Sequence, residues 1–357
     1  MIPERLLKMD KIRLCCLFGG VSTEHEVSLS SVTSVANNID REKYELTLLG
    51  ITKSGRWLLY EGEISKIASG EWERDMEHTV DAWISPSRGD RLIRTFDGRE
   101  LPVDVIFPVM HGANCEDGTL QGFLTIAGIP FVGPDCEASA ICMDKAAAKT
   151  ILNLFGIPQA KAVIINRPDM DKDAGGVILR CEELGYPLFV KPSRAGSSVG
   201  VCKVRNRSEL STAISEAFVI DRTVLVEEFI KGREVEVAVM GNDDPVASVC
   251  GEIDPGADFY DYETKYIADT ASYYIPARID PETADRVREY ALEIYKRLGC
   301  SGLSRVDFFV GERVIFNEIN TLPGFTSISM FPKLFMYSGM SYPEIIDRLI
   351  SLALEKH

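Results

Sequence analysis

Two carboxylates and an amide lie close together near the end of the chain. Asp307 sits in SRVDFFV, Glu318 and Asn320 sit in VIFNEIN, and a short turn around Gly311-Glu312 separates the two runs. The β-branched and aromatic residues on either side of that turn predict two strands of a hairpin. Side chains alternate across a strand, so Glu318 and Asn320 share a face, and folding the hairpin brings Asp307 within a residue or two of Glu318. Acids with apolar neighbours such as FFV and VIF are costly to bury without partners. Hard oxygen donors in a partial cage suit Mg²⁺, which completes its shell with water and nucleotide phosphates.

A second cluster precedes this one. PLFVKPSRAGSSVGV (187–201) reads as a strand that delivers Lys191, followed by a loop with Gly196, two serines and Gly200. Glycines let backbone N–H groups approach phosphate oxygens, and the hydroxyls add donors. It is not a Walker A loop, because GxxxxGK[ST] is absent. Directly after the metal-binding candidates, NTLPGFTSISMFP (320–332) is rich in turn residues, so its backbone must run beside the metal, and the Gly324 N–H is placed to serve as an oxyanion donor. Near the start, Gly19-Gly20 closes an apolar run and STEHE opens a helix. A helix N-terminus attracts anions while Glu24 attracts cations, a combination suited to a zwitterionic amino acid. His111, in HGANCEDG at the end of another apolar run, is a further candidate for that end of the site.

The elements that position these residues alternate at first. IRLCCLF (12–18), YELTLLGIT (44–52) and VDVIFPVMHG (103–112) read as strands, and STEHEVSLSSVTSVANNI and DGTLQGFLTIAG (117–128) as helices. That pattern predicts an N-terminal parallel α/β domain with ligand sites at the strand C-termini. Residues 61–100 look like a peripheral elaboration. From residue 144 the order becomes helix (DKAAAKTILNLFG), strand (AKAVII), a helix near 174–184 and the lysine strand. VLVEEFI (224–230) and REVEVAVMG (233–241) then read as consecutive strands. Residues 251–279 carry few periodic signals and many Asp, Gly and Tyr, and a long irregular stretch inside a compact chain is usually functional. DPETADRVREYALEIYKRLG (280–299) and YPEIIDRLISLALEK are the closing helices.

At 357 residues the chain exceeds what one hydrophobic core supports, and 45% hydrophobic with 26% charged residues is ordinary globular composition. A net charge of −15 argues against nucleic acid and anionic lipid surfaces as partners. The charged first twenty residues carry no secretory signal, and no run has membrane-spanning length. Nine cysteines without CxxC pairs read as reduced, mostly buried thiols of a cytoplasmic protein.

Taken in order, GGVSTEHEVSL, HGANCEDGTLQG, MDKAAAK, VKPSRAGSSVG, FYDYETKY, SRVDFF, NEINTLPGF and SISMFPKL resemble the bacterial D-alanine–D-alanine ligases of the ATP-grasp superfamily, from about Lys11 to Leu354. The resemblance implies an N-terminal α/β substrate domain over 1–140 and an ATP-grasp fold of two α+β domains. These are a central one over 141–232 and a C-terminal, catalytic one over 233–357. It implies nucleotide between the last two, with Lys145, Lys191, Ser197 and Ser198 at the phosphates, Glu227 and the Ile230 backbone at the adenine edge, Glu234 at the ribose and Phe259 at the base. Asp307, Glu318 and Asn320 would hold two Mg²⁺, or Mn²⁺ in their place. Lys265 would reach the γ-phosphate, and Tyr266 would pair with Ser197 and Glu24 to close the site. A homodimer is the implied assembly.

The implied reaction has two steps. The first D-alanine's carboxylate takes the γ-phosphoryl group of ATP, and the second D-alanine's amine attacks the resulting acyl phosphate. Glu24 and His111 would orient the first substrate, Ser329 and Lys265 the carboxylate of the second, and Arg305 with the Gly324 N–H the tetrahedral oxyanion. Cys115 stands where the family pattern HGxNGEDG has glycine. GITKSGRW and IPARID also resemble the ligases that make D-alanyl-D-serine, which keeps D-serine and D-lactate as alternative second substrates; Met330, where those enzymes usually carry Arg, favours alanine. A nucleotide-binding regulator that has lost turnover is the rival from another class. A nicotinamide oxidoreductase fails because GxGxxG is not completed after Gly19-Gly20.

Overall fold

The structure is a computed structural model that describes residues 11–197, 199–254, 272–326 and 328–356. Strand β1 (Ile12–Gly19) is buried on both faces from Leu14 onward, as a central parallel strand must be. Helix α1 (His25–Asn38) crosses to β2 (Tyr44–Ile51), and β1 pairs in parallel with both β2 and β7 (Val105–Val109). The parallel expectation holds for these three strands. Beyond them β3 (Trp57–Tyr60), helix α2 (Ser65–Ala68), β4 (Thr79–Ile84), β5 (Leu92–Thr95) and β6 (Glu100–Pro102) carry the sheet on. The strand order is β6-β5-β4-β3-β2-β1-β7, with β3 to β6 joined antiparallel. Residues 61–100 are therefore not peripheral. The one α-helix between these neighbours, α2, is a single turn, and β2–β3, β4–β5 and β5–β6 are joined without a helix, so none has the crossover of a parallel unit. Trp72 from this stretch is fully buried, its ring edge-on to Phe18 at 4.8 Å between centroids.

After α3 (Thr119–Ala127), α4 (Cys136–Met143) and α5 (Lys145–Leu154), a four-stranded antiparallel sheet forms in the order β10-β9-β11-β8. Its strands are β8 (Ala162–Asn166), β9 (Leu188–Pro192), β10 (Cys202–Val204) and β11 (Thr223–Glu228). Helices α6 (Arg167–Glu182) and α7 (Arg207–Ile220) accompany it. The sequence suggests a helix near 174; α6 begins seven residues earlier because Asn166 and Asp169 form a capping box with Pro168 in the first turn. The helix then kinks at Asp173.

The third sheet has the order β14-β13-β12-β15-β16 and is antiparallel throughout. It comprises β12 (Arg233–Gly241), β13 (Val246–Asp254), β14 (Ser272–Tyr274), β15 (Gly302–Val310) and β16 (Val314–Asn320). Helix α8 (Pro281–Arg297) packs on it, with Ile294 and Tyr295 in the same core as Val237 and Phe308. VLVEEFI and REVEVAVMG are thus consecutive strands in different sheets. The chain leaves one sheet at Glu228 and enters the other at Arg233, and the cleft opens at that passage. Of the irregular stretch 251–279, residues 251–254 belong to β13 and 272–274 to β14, and 255–271 lie outside the described residues.

Helix α9 (Met330–Tyr337) and the capped α10 (Tyr342–Glu355) close the chain. Their Phe331, Ile345 and Leu349 share one core with Leu14 and Val105 of the N-terminal sheet and Met240 of the C-terminal one. The last helices thereby fasten the first domain to the third. Seven of the nine cysteines are buried, Cys136 being exposed and Cys202 intermediate. Among the described residues no helix is long and apolar enough to cross a membrane.

Candidate active site

The hairpin β15–β16 sets Asp307 directly opposite Glu318 and Arg305 opposite Asn320. The register then shifts: Phe308 faces Phe316, so Asn317 is an extra residue on β16. A bulge of this kind re-aims side chains, and both Asn317 and Glu318 line the cleft. The Arg305 guanidinium grips Asp307 with two hydrogen bonds of 2.8 and 2.7 Å and lies 3.1 Å from Glu236. Asn320 donates to the same Asp307 carboxylate at 3.2 Å. Burial opposes the charge of Arg305, but Asp307 and Glu236 outweigh it and hold the guanidinium firmly protonated. Asp307 and Arg305, given separate roles by the sequence reading, thus form one unit on a single strand face.

The cleft holds about 380 Å³ between the second and third sheets. At one end Lys145, the first residue of α5, lies 3.6 Å from Glu318 and donates to the Ala195 carbonyl at 2.9 Å. Lys191 on β9 pairs with Glu227 on β11 at 2.7 Å and reaches Asn317 Oδ1 at 3.4 Å. Lys149, one helical turn beyond Lys145, pairs with the other Glu227 oxygen at 2.7 Å. Burial alone would raise the Glu227 pKa; Lys191 and Lys149 hold it down at about 2. Lys191 in turn is disfavoured as a cation by burial but raised overall by Glu227. Ile230 and Glu234 line the same cleft. Its far wall is a second charged knot, in which Glu252, 2% exposed, is held by Arg233 at 2.7 Å and by Arg278 at 2.6 and 3.1 Å.

Lys149, Asn317 and the Arg233–Glu252–Arg278 knot were not singled out from sequence. For Lys149 a signal existed: MDKAAAK spaces two lysines four apart, which puts them on one helix face.

Glu24, Ser197 and His111 gather at the other side. Glu24 stands just before α1, and a β-carbon placed on Gly112 or Gly196 would come within 2.8 or 3.5 Å of its Oε2. The glycine loop after β9 therefore reaches the Glu24 carboxylate, with Ser197 next along in a left-handed conformation (φ 49°). His111 is buried; its Nδ1 donates to the Leu322 carbonyl at 2.9 Å and its Nε2 lies 3.0 Å from Ser31 Oγ. Cys115 is buried and has ordinary negative φ, so this turn takes its positive φ angles at Gly112, Asn114 and Gly118 and does not need glycine at 115. Gly324 abuts Ser329: a β-carbon there would sit 2.7 Å from Ser329 Oγ, which also bonds the Thr326 N–H and hydroxyl at 3.0 and 2.8 Å. The Met330 side chain packs inward under Gly251 and is 4% exposed. Ser198, Phe259, Lys265 and Tyr266 lie outside the described residues.

The donor set at Asp307, Glu318 and Asn320 fits a hard cation. Among the described residues no three His, Cys, Asp or Glu side chains converge as a metal site, so the oxygens here are two carboxylates and an amide, with room in the cleft for phosphate oxygens to supply the rest.

Two family profiles match the chain, one described as D-ala D-ala ligase N-terminus over residues 13–134 and one as D-ala D-ala ligase C-terminus over 151–351. A D-alanine–D-alanine ligase of Acetivibrio thermocellus is 50% identical, covering 98% of this chain and 97% of its own. Among solved structures, the VanG D-Ala:D-Ser ligase of Enterococcus faecalis superposes with a TM-score of 0.89 at 43% identity, covering 96% of this chain and 99% of its own. The D-alanine–D-alanine ligase of Coxiella burnetii gives 0.85 at 34% identity, over 97% and 96%. These likenesses bear out the expected α/β domain followed by an ATP-grasp fold. With both halves matched and identity this high over nearly the whole length, the chain belongs to the D-alanine–D-alanine ligase family.

Proposed function

We propose that the protein joins two D-alanines into D-alanyl-D-alanine for peptidoglycan precursors, with ATP converted to ADP and phosphate through an acyl phosphate. The observation that carries this reading is the convergence of Lys145, Lys191 and Glu318 in the cleft whose wall holds Glu227, Ile230 and Glu234, with Asp307 directly opposite Glu318 and bonded by Asn320.

In this reading Lys145 and Lys191, with Ser197 and Ser198 of the glycine loop, hold the phosphates. Glu227 and the Ile230 backbone meet the adenine, Glu234 the ribose and Phe259 the base. Asp307, Glu318 and Asn320 would hold two Mg²⁺, or Mn²⁺, whose charge neutralises the transferring phosphoryl group. Glu24 orients the first substrate's ammonium. His111, with both ring nitrogens engaged, acts from behind by holding the 320–326 loop. Arg305, kept cationic by its carboxylate neighbours, and the Gly324 N–H face the developing oxyanion. Ser329 and Lys265 take the second substrate's carboxylate, and Tyr266 closes over Ser197 and Glu24 to exclude water from the acyl phosphate. Domains bounded near 140 and 232, a homodimer and a cytoplasmic location complete the proposal; the homodimer rests on family resemblance and the location on the cysteine pattern of the sequence.

A D-serine-adding activity is the second reading, favoured by the fold likeness to a D-Ala:D-Ser ligase. Against it stands Met330, an uncharged side chain turned into the core. The test is phosphate release from ATP with D-alanine, D-serine and D-lactate competing at equal concentration at pH 7, and mass identification of the products. D-alanyl-D-alanine as the main product is expected. A majority of either mixed product overturns the specificity, and phosphate release that does not depend on D-alanine overturns the ligase reading altogether.

A further inference from the structure

Among the described residues Glu227 has two cationic partners, and only Lys191 of the two lines the cleft. Lys191 and Lys149 each contact one of its carboxylate oxygens at 2.7 Å, from strand β9 and helix α5 respectively. All three side chains are at least four-fifths buried. Lys191 and Glu227 line the cleft, and Lys149 does not. The three carry a net single positive charge. Were Lys149 neutral, the pair left behind would be neutral too, and among the described residues the Lys191 ammonium would be the remaining counter-charge of a buried carboxylate. A buried carboxylate stripped of its only partner is strongly destabilised, so Lys191 could not then turn from Glu227 to a phosphate without stranding it.

We propose that Lys149 is a positioning residue that satisfies Glu227 from behind, leaving Lys191 free to bind nucleotide phosphate. This rests on the nucleotide reading of the cleft. Lys149 touches no substrate in this account; it sets how much of the Lys191 charge is on offer. The effect falls on the phosphates and not on the base, and that separates it from a general structural role.

The experiment measures ADP and adenosine binding calorimetrically with Mg²⁺ present, in the full-length protein and in Lys149→Met. ADP affinity is expected to fall about tenfold, the size of a 1.4 kcal/mol coupling within one ion-pair network, while adenosine affinity changes less than about twofold. In turnover the KM for ATP should rise with the KM for D-alanine unchanged, and Lys149→Arg should restore ADP binding. Lys149→Met with Glu227→Gln removes both charges of the rear pair, so its ADP-to-adenosine affinity ratio should return to the original value or above. That double variant also carries the test if Lys149→Met alone does not fold. Equal weakening of ADP and adenosine, or no change in either, overturns the proposal. If the unaltered protein binds neither ligand, the nucleotide reading itself fails.

Discussion

Glu252 makes the cleft wall sensitive to acid. The carboxylate is 2% exposed and accepts from Arg233, from two guanidinium nitrogens of Arg278 and from the Arg278 backbone N–H at 2.9 Å. Burial raises its pKa, but these donors hold it at about 2 against an ordinary 4.5. A folded-state pKa below the unfolded one means that the ionised form stabilises the fold. At about 1.4 kcal/mol per tenfold change in proton affinity, the shift corresponds to about 3 kcal/mol. The arginine side chains are 48% and 42% exposed, and water screens them, so about 2 kcal/mol is the expected size. The contribution is complete above about pH 5 and is lost as the pH falls towards 2. Glu252→Gln removes it. Urea unfolding of both proteins should differ by about 2 kcal/mol at pH 7 and by less than half of that at pH 3, because the unaltered carboxyl is then protonated on unfolding. A difference that stays constant between pH 7 and pH 3, or one below about 0.5 kcal/mol at pH 7, the range of ordinary surface substitutions, would refute the reasoning.

Two further outcomes follow from the site. Glu318→Gln should leave the fold intact by circular dichroism and lower turnover at saturating Mg²⁺ to less than about a tenth, since a neutral amide opposite Asp307 cannot balance cation charge; retention of more than that counts against the metal assignment. Gly19→Ala should destabilise by about 2 kcal/mol or more in thermal unfolding, because φ is +84° and the added β-carbon would lie 2.1 Å from the Ile51 carbonyl oxygen; an unchanged midpoint would show that the turn before Glu24 relaxes freely.

How much of this the sequence carried depends on the range of the signal. The β15–β16 hairpin was legible because period-two alternation and a Gly311 turn are local, and Asp307 does face Glu318. The bulge at Asn317 was not, because nothing within NEIN marks which residue is the extra one. Strands β5 and β6 are only LIRT and ELP, too short for alternation to stand out, so the antiparallel half of the first sheet was missed. The Gly19-Gly20 pair reads like half of a phosphate-binding turn. In the fold both glycines have positive φ, +84° and +106°, and an added β-carbon would meet the Ile51 oxygen or the Met110 side chain. They answer a backbone need, which a local motif cannot distinguish from a ligand's need. Glu227 was legible as a cleft residue only through family resemblance; its second lysine required the packing of α5 on β11.

The loop after strand β16 shows why residues three hundred positions apart act together. Asn320 ends β16, and the next six residues are fixed from the N-terminal domain and from α10. His111 binds the Leu322 carbonyl, Ser31 Oγ accepts the Phe325 N–H at 3.3 Å, Thr321 Oγ1 donates to the Glu116 carbonyl at 3.4 Å, and the Tyr342 hydroxyl donates to the Phe325 carbonyl at 2.6 Å. Burial opposes protonation of His111, yet Glu116 and Glu24 beside it raise its pKa overall. Gly324 lies in the middle of this tether. Its segment is therefore held by His111, which also feels the Glu24 carboxylate, so that in the proposed reading the first-substrate end and the oxyanion end of the site share one support.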